Sequence, residues 1–356
     1  MFLSLFLLLM SIMSSTDGPR PSEERYGRQV ILPEIGAEGQ ERLARGSVLI
    51  IGVGALGTVV ASALVRAGVG HVRLVDRDLV ELSNLQRQVL FDESDVGSPK
   101  AVAAVERLQT VNHDVVVEGI VKDVGPATVE DLLVGMDVVV DGTDNLESRF
   151  LLNDACVKHG VPWVYGGAVA TLGMTLTIVP GNTPCLRCCL PSLPPPGSLD
   201  TCDRVGVLNT LPLVIGALET TEALKLILGW EDIDRDLVVY DAWRRELRRV
   251  EVARDPRCGC CGEGRFEFLE GGRTGLTTVL CGRRMVQVTP AKSGELSLPE
   301  LSERLQGLGE VRLTEHTLTL ALAEHELVVF RDGRALVRGT DDPSIARSLY
   351  ARYIGA

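Results

Sequence analysis

The stretch Val48-Leu49-Ile50-Ile51-Gly52-Val53-Gly54-Ala55-Leu56-Gly57 decides the fold. Its four leading apolar residues read as a buried strand, and the pattern from Val59 to Ala67 behind the glycines reads as a helix. A second apolar strand, Val72 to Val75, ends in Asp76. Strand, glycine turn, helix, strand and acid in that order make a nucleotide-binding βαβ unit. Each glycine has its own task. Gly52 makes the tight turn, Gly54 lets a ligand approach the backbone, and Gly57 lets helix and strand pack closely. The helix N-terminus offers free N–H groups to an anion. Asp76 follows the turn by about 20 residues, the separation at which a carboxylate meets ribose hydroxyls.

That unit alone suits a nicotinamide or flavin enzyme. The residues around it favour a different ligand. A dense polar segment, Asp78 to Gln88, follows the second strand directly, and Lys100 comes soon after in Gly97-Ser98-Pro99-Lys100. Asp141-Gly142-Thr143-Asp144-Asn145 closes another apolar strand. Cations and carboxylates gathered at strand ends suit a triphosphate with its metal better than a hydride carrier.

Tyr26-Gly27-Arg28-Gln29, the glycine turn, Asp76 with Ser83–Gln88, Lys100, Asp144 and two cysteine pairs together resemble the adenylyltransferases of the ThiF/MoeB/HesA family, relatives of the ubiquitin-activating enzymes. The resemblance runs from about Tyr26 to Gly262. It implies ATP and Mg²⁺ as ligands, with Asp76 on the ribose and Asp144 on the metal. Arg28, Lys100 and Arg87 would neutralise phosphate charge, while Asn84 and Gln88 position it. The resemblance also implies a homodimer in which Arg87 crosses to the other subunit's site. The implied partner is a small β-grasp carrier protein, ThiS- or MoaD-like, ending in Gly-Gly. A sulfur donor, a cysteine desulfurase or rhodanese-like protein, would then convert its adenylate to a thiocarboxylate.

Cys185-Leu186-Arg187-Cys188-Cys189 and Cys258-Gly259-Cys260-Cys261 carry two C-x-x-C pairs, which can place four thiolates around one structural Zn²⁺. Equal spacing and the family pattern select Cys185, Cys188, Cys258 and Cys261, with Cys189 and Cys260 as spares. A redox pair or plain buried thiols is the alternative reading. A closed site has no open position, so the zinc has no catalytic role. Between the pairs, Pro194-Pro195-Pro196 forbids regular helix or central strand, and the segment from Pro191 to Cys202 reads as a loop. In the family this crossover loop covers the site. Cys202 stands where many members carry a conjugating cysteine, so it is a candidate reactive thiol against the alternative of an incidental one.

Length and composition bound these readings. A chain of 356 residues exceeds one domain of ordinary size. A net charge of −12 argues against a nucleic-acid surface, and hence against a relative that activates a tRNA carboxylate. Nine cysteines, four of them in two C-x-x-C pairs, suit metal or thiol chemistry in a reducing compartment, and with ATP they point to the cytoplasm. Residues 1–13 are strongly apolar but shorter than the roughly 20 residues of a spanning helix, and no positive n-region precedes them. They read as a start placed too early, with Met10 or Met13 as the true start, ahead of a tethered tail or a signal. No membrane partner follows.

Three segments are expected: an apolar and disordered extension (1–24), the adenylation domain (25–263), and a small α+β domain (264–356). The first sheet is expected to be doubly wound and Rossmann-like, parallel at first and mixed in its second half. Helices are expected at Glu34–Leu43, Ala101–Leu108, Arg149–Val157 and Asn209–Leu228, the last stopped by Gly229. Strands are expected at Val115–Val117, Val138–Val140, Val161–Tyr165, Gly173–Pro180 and Leu237–Tyr240. The C-terminal segment is expected to hold a helix with Leu298, Leu301, Leu305 and Leu308 on one face, several strands, a hairpin at Asp332-Gly333 and a closing helix at Asp341–Tyr353. Cys281-Gly282-Arg283-Arg284 superficially resembles a rhodanese loop, but the segment is too short and does not alternate as βαβ.

Overall fold

A computed structural model describes residues 21–193, 205–270, 277–280, 284–289 and 296–354. Residues 1–20, the triproline with Cys202, and Cys281 lie outside them. In chain order the first part runs α1 (Pro21–Val30), α2 (Gly36–Arg45), β1 (Ser47–Ile51), α3 (Ala55–Ala67), β2 (His71–Asp76), α4 (Lys100–Val111), β3 (Val116–Val121), α5 (Val129–Leu133), β4 (Val138–Asp141) and α6 (Leu146–His159). It continues with β5 (Trp163–Val169), β6 (Leu172–Ile178), α7 (Leu186–Cys189), α8 (Thr210–Leu228), β7 (Leu237–Asp241) and β8 (Glu246–Val250). The second part holds α9 (Glu267–Glu270), β9 (Thr277–Leu280), β10 (Met285–Val288), α10 (Leu298–Leu305), β11 (Glu310–Leu313), β12 (Thr317–Ala321), β13 (Glu326–Phe330), β14 (Ala335–Arg338) and α11 (Pro343–Tyr353).

The first eight strands form one sheet in the order β3-β2-β1-β4-β5-β6-β7-β8. The first five are parallel, and β6, β7 and β8 are added antiparallel. Alternation along each central strand feeds two cores. Val48, Ile50, Val72, Leu74, Val138 and Val140 pack with Leu64, Leu108 and Ala223 of α3, α4 and α8. Leu49, Ile51, Val75, Val139 and Trp163 pack on the opposite face with Leu132, Phe150 and Leu152 of α5 and α6. A strand buried on both faces has no polar side to alternate, which is why β1 and β4 are continuous apolar runs. The strand order reverses between β1 and β4, and ligands of such sheets bind beyond the carboxyl ends at that point.

Several boundaries differ from expectation. Pro21–Glu24 is the first turn of α1 rather than disordered chain, since Pro suits the start of a helix. β3 runs on to Val121 through its pairing with β2. β5 extends to Val169 because its hairpin with β6 pairs Val169 with Leu172. α10 stops at Leu305, before the positive-φ Gly307, so Leu308 is exposed and off the helical face. β9 had no expectation and pairs antiparallel with β10.

The last six strands form a second, antiparallel sheet, β11-β12-β13-β14-β10-β9. Leu318, Leu320, Leu327, Val329 and Val337 on one face pack under Leu298, Leu301, Leu305 and Tyr350 of α10 and α11. The other face presents Met285, Val328, Phe330 and Leu336, which cluster with Leu79 and Val121 of the first sheet's β2–β3 end. The second sheet therefore lies against the nucleotide half.

Candidate functional site

The site is built where β1, β2 and β4 end. Gly52 has φ +89°, a left-handed conformation natural to glycine, and a Cβ there would lie 2.4 Å from the carbonyl oxygen of Gly142 at the end of β4. A Cβ on Gly57 would lie 1.9 Å from Gly52 O, so α3 closes directly onto the turn. Gly54 is different. A Cβ there would meet nothing closer than Gln88 Nε2 and Gly142 O, each at 3.8 Å. No protein atom crowds the place of a side chain at 54.

Asp76 braces this turn. Its Oδ2 accepts the Val53 N–H at 2.6 Å and its Oδ1 accepts the Asp78 N–H at 2.7 Å. Burial pushes the carboxyl up from its ordinary value, partly opposed by the Lys100 charge. Lys100 opens α4 and is 4% exposed, with Nζ 3.5 Å from Asp78 Oδ2 and its N–H on the Asp78 carbonyl. Asn84 ends a short 3₁₀ turn and caps it through Oδ1 on the Glu81 N–H. Asn84 Nδ2 and Gln88 Oε1 are buried without a protein partner among the described residues. Buried polar atoms are nearly always bonded, so such a pair beside a glycine turn marks where a polar ligand belongs.

Asp144 is exposed in the turn after β4, and its charge reaches both Arg77 and Arg149. The single chain therefore gathers Gly52, Gly54, Gly57, Asp76, Gln88 and Lys100 at one place, with Asn84 and Asp144 flanking. It does not bring in Arg28, which is exposed in the last turn of α1. Arg87 donates from Nη1 to the Ser83 carbonyl at 3.0 Å.

Other charged groups underlie the site without having been expected. Arg149 of α6 is buried, with Nε 2.8 Å from Asp141 Oδ2 and Nη2 donating to the carbonyls of Thr143 and Gly166. Burial works against its charge, but Asp141 outweighs that and holds Arg149 protonated. Burial raises Asp141 in turn, with Arg149 opposing. Glu219 of α8 is fully buried against Gly166, where a Cβ would fall 2.0 Å from Glu219 Oε1. Neither of its oxygens has a partner among the described residues, and burial followed by the Asp141 charge lifts its pKa well above the ordinary value. The signal was present in the sequence: Glu219 shares the apolar face of α8 with Ile215 and Ala223.

The four selected cysteines converge. The Sγ atoms of Cys185, Cys188, Cys258 and Cys261 all lie within 4.8 Å of one another, with Cys185–Cys258 at 3.6 Å and Cys188–Cys261 at 3.5 Å. Four sulfurs each about 2.3 Å from a shared Zn²⁺ stand nearly 4 Å apart, so the cluster fits a tetrahedral ion. The spares lie outside this converged set and have partners of their own. Cys260 Sγ accepts from Asn153 Nδ2 at 3.2 Å, and Cys189 Sγ sits 4.0 Å from the Cys185 carbonyl. Asn153 of α6 also accepts the Leu186 N–H at 2.8 Å, so one side chain ties both cysteine segments to the core.

Fold and site define a Rossmann-like α/β protein with a sheet extended by antiparallel strands and a four-cysteine knot. The chain belongs to the ThiF family, whose model matches residues 26–260. It is similar to the sulfur carrier protein ThiS adenylyltransferase of Bacillus subtilis (strain 168), 42% identical over 336 residues that cover 93% of this chain and 99% of that protein. It is also similar to the sulfur carrier protein adenylyltransferase of Thermus thermophilus, 44% identical over 246 residues covering 67% of this chain and 91% of that one. Among solved structures, E. coli MccB with ATP superposes with a TM-score of 0.57 at 25% identity, covering 67% of this chain and 74% of that chain. No helix among the described residues is long and apolar enough to cross a membrane.

Proposed function

We propose that this chain is an adenylyltransferase that uses ATP to activate the C-terminal Gly-Gly carboxylate of a small β-grasp sulfur carrier protein. The observation that carries the reading is the likeness to the ThiS adenylyltransferase over nearly the whole of both chains. The open face at Gly54, with the unpartnered amide atoms of Asn84 and Gln88 beside it, supports a nucleotide there. The same likeness favours a ThiS-like carrier over a MoaD-like one. The hydride-transfer and tRNA-carboxylate alternatives match neither relative's name.

In this reading the carrier's carboxylate attacks the α-phosphorus, pyrophosphate leaves, and an acyl-adenylate forms. The nucleophile is already ionised, so no general base is needed, and the rate comes from alignment and charge neutralisation. Asp76 holds the ribose. Lys100, Arg28 and Arg87 neutralise the phosphates, and Asn84 and Gln88 orient them. Asp144 would hold the Mg²⁺ that accompanies ATP, an ion that draws charge from the phosphate oxygens when bound. Arg87 serves from the partner subunit of a homodimer, as the family resemblance implies. Cys185, Cys188, Cys258 and Cys261 bind a structural Zn²⁺. Cys202, outside the described residues, is the thiol that takes the acyl group from AMP. A sulfur donor, a cysteine desulfurase or rhodanese-like protein, completes the thiocarboxylate. Reduced thiols and ATP place the work in the cytoplasm, and the acidic chain needs neither nucleic acid nor membrane.

Carrier-dependent ATP–pyrophosphate exchange tests this directly. Exchange is expected with a ThiS-like carrier bearing an intact Gly-Gly tail, and none once the tail is removed. Exchange only with a MoaD-like carrier would move the pathway, and exchange with no carrier would overturn the reading.

A further inference from the structure

The second sheet touches the nucleotide half through a line of buried polar groups. Gln287 of β10, 1% exposed, donates from Nε2 to Asp123 Oδ2 at 2.8 Å. Asp123 Oδ1 accepts from Arg77 Nη1 at 2.9 Å, and Arg77 Nε stands 3.8 Å from Asp78 Oδ1. Asp78 faces Lys100 through Oδ2 and bonds Asp76 through its N–H. Asp76 holds Val53 in the glycine turn. Each link is within contact distance, so the chain of groups runs unbroken from β10 to the phosphate turn.

Arg334 enters the same interface from the β13–β14 hairpin. It is 1% exposed, its Nε is 3.1 Å from Asp332 Oδ2, and its guanidinium stacks over the Phe330 ring at 3.8 Å. Its Nη1 and Nη2 are buried with no hydrogen-bond partner among the described residues. After Asp332, the carboxylates whose charge reaches it are Asp123 and Asp78. Phe330 itself belongs to the apolar cluster with Leu79 and Val121 that seals the interface. A guanidinium buried without full pairing is costly, and a second sheet that only covered apolar surface would not need one.

The electrostatics give it a task. Lys100 lies against Asp78, so to serve a polyphosphate it must share its charge away from that carboxylate. Asp78 and Asp123 then depend on Arg77 and on the cation behind them. We propose that Arg334 and Gln287 are positioning residues of the nucleotide site: Gln287 holds Asp123 by its hydrogen bond, and Arg334 adds a buried positive charge from the second sheet beside the Asp123–Arg77–Asp78 line, so that Arg77 stays fixed and Lys100 is released toward the phosphates. This rests on the nucleotide reading of the site given above. It makes the C-terminal sheet a working part of ATP binding.

The test uses the full chain and two readouts: calorimetric binding of ATP with Mg²⁺ in the absence of carrier, and KM for ATP and for carrier in pyrophosphate exchange. Arg334→Met keeps an apolar stem on Phe330 and removes the charge. It is expected to weaken ATP binding and raise KM for ATP by about five- to tenfold, with the carrier KM and the unfolding midpoint little changed. Arg334→Lys, which restores a cation, is expected to recover part of that loss. Should the Met variant not fold, Asp123→Asn serves in its place, since it frees Arg77 while leaving Gln287 a partner. ATP affinity equal to wild type in a folded variant overturns the proposal. So does a parallel loss of ATP binding, carrier KM and stability, which marks a purely structural role. Wild-type protein that binds no ATP instead overturns the nucleotide reading itself, and this proposal with it.

Discussion

Asp76 Oδ2 accepts the N–H of Val53 at 2.6 Å, so the acid that ends β2 is bonded to the glycine turn that follows β1. The sheet thereby fixes two parts of the site with one side chain: the turn is held by its N–H, and the carboxylate is held within reach of the Lys100 charge. Its other oxygen is occupied by the Asp78 N–H, and each oxygen keeps a second lone pair for a ligand hydroxyl.

Replacing that carboxylate by an amide separates bracing from charge. Asp76→Asn keeps the shape, but its NH₂ group must face one of the two backbone N–H donors. The loss of one charge-assisted bond costs about 1.5–3 kcal/mol. The variant is expected to unfold at lower urea and to bind ATP at least about tenfold more weakly, since the ribose acceptor is also impaired. Unchanged ATP affinity in a folded variant would remove Asp76 from the site.

The spare Cys260 gives an internal control for the metal. Cys258→Ser is expected to drop bound zinc well below the roughly one ion per chain that a four-thiolate site holds, and to lower thermal stability. Cys260→Ser is expected to keep the metal, because its sulfur is bonded by Asn153 and is not one of the four that converge. Metal analysis of the two purified proteins decides. Equal zinc in both would mean that the ligand set is wrong.

What was legible in the chain was what neighbouring residues determine. The glycine turn, the run Val48–Ile51 and the paired cysteines are local patterns, and their geometry follows from spacing alone. Arg149 and Glu219 were not visible in that way, because their roles are set by which face of α6 and α8 meets β5. A signal did exist for the docking of the second sheet. From Leu327 to Phe330 both alternate sets are apolar, and a strand apolar on both faces is covered on both. Leu327 and Val329 face the helices, while Val328 and Phe330 face Leu79 and Val121. What no local pattern could supply is the partner across that second face.

If Arg87 acts across a dimer interface, lesions in different chains can complement. Mixing Arg87→Ala and Asp144→Ala chains carrying distinct tags places both lesions in one site of the heterodimer and leaves the other intact. The purified heterodimer is expected to recover about half of wild-type exchange activity, while each homodimer stays inactive. A heterodimer as inactive as its parents would put both residues in the same chain's site.

Glu219 makes a prediction about pH whose sign follows from its burial. Its carboxyl lies against Gly166 and within reach of the Asp141 and Arg149 charges, without a hydrogen-bond partner among the described residues, and its pKa in the fold lies well above the ordinary value. Below the ordinary glutamate value of about 4.3 the group is protonated in both folded and unfolded chains and contributes no slope. Above it the unfolded chain ionises while the folded one keeps its proton, so the unfolded state gains. Stability then falls by up to about 1.4 kcal/mol per pH unit until the folded carboxyl itself ionises. Glu219→Gln has the same shape and no proton to lose. Relative to wild type it is expected to gain stability as pH rises above the ordinary glutamate value, until the folded carboxyl itself ionises, with the difference smallest at the acid end. Urea unfolding of both proteins across that range measures it, and all titrations common to the two cancel in the comparison. Parallel profiles would show that Glu219 is ionised in the fold, with Arg149 rather than Asp141 controlling its charge.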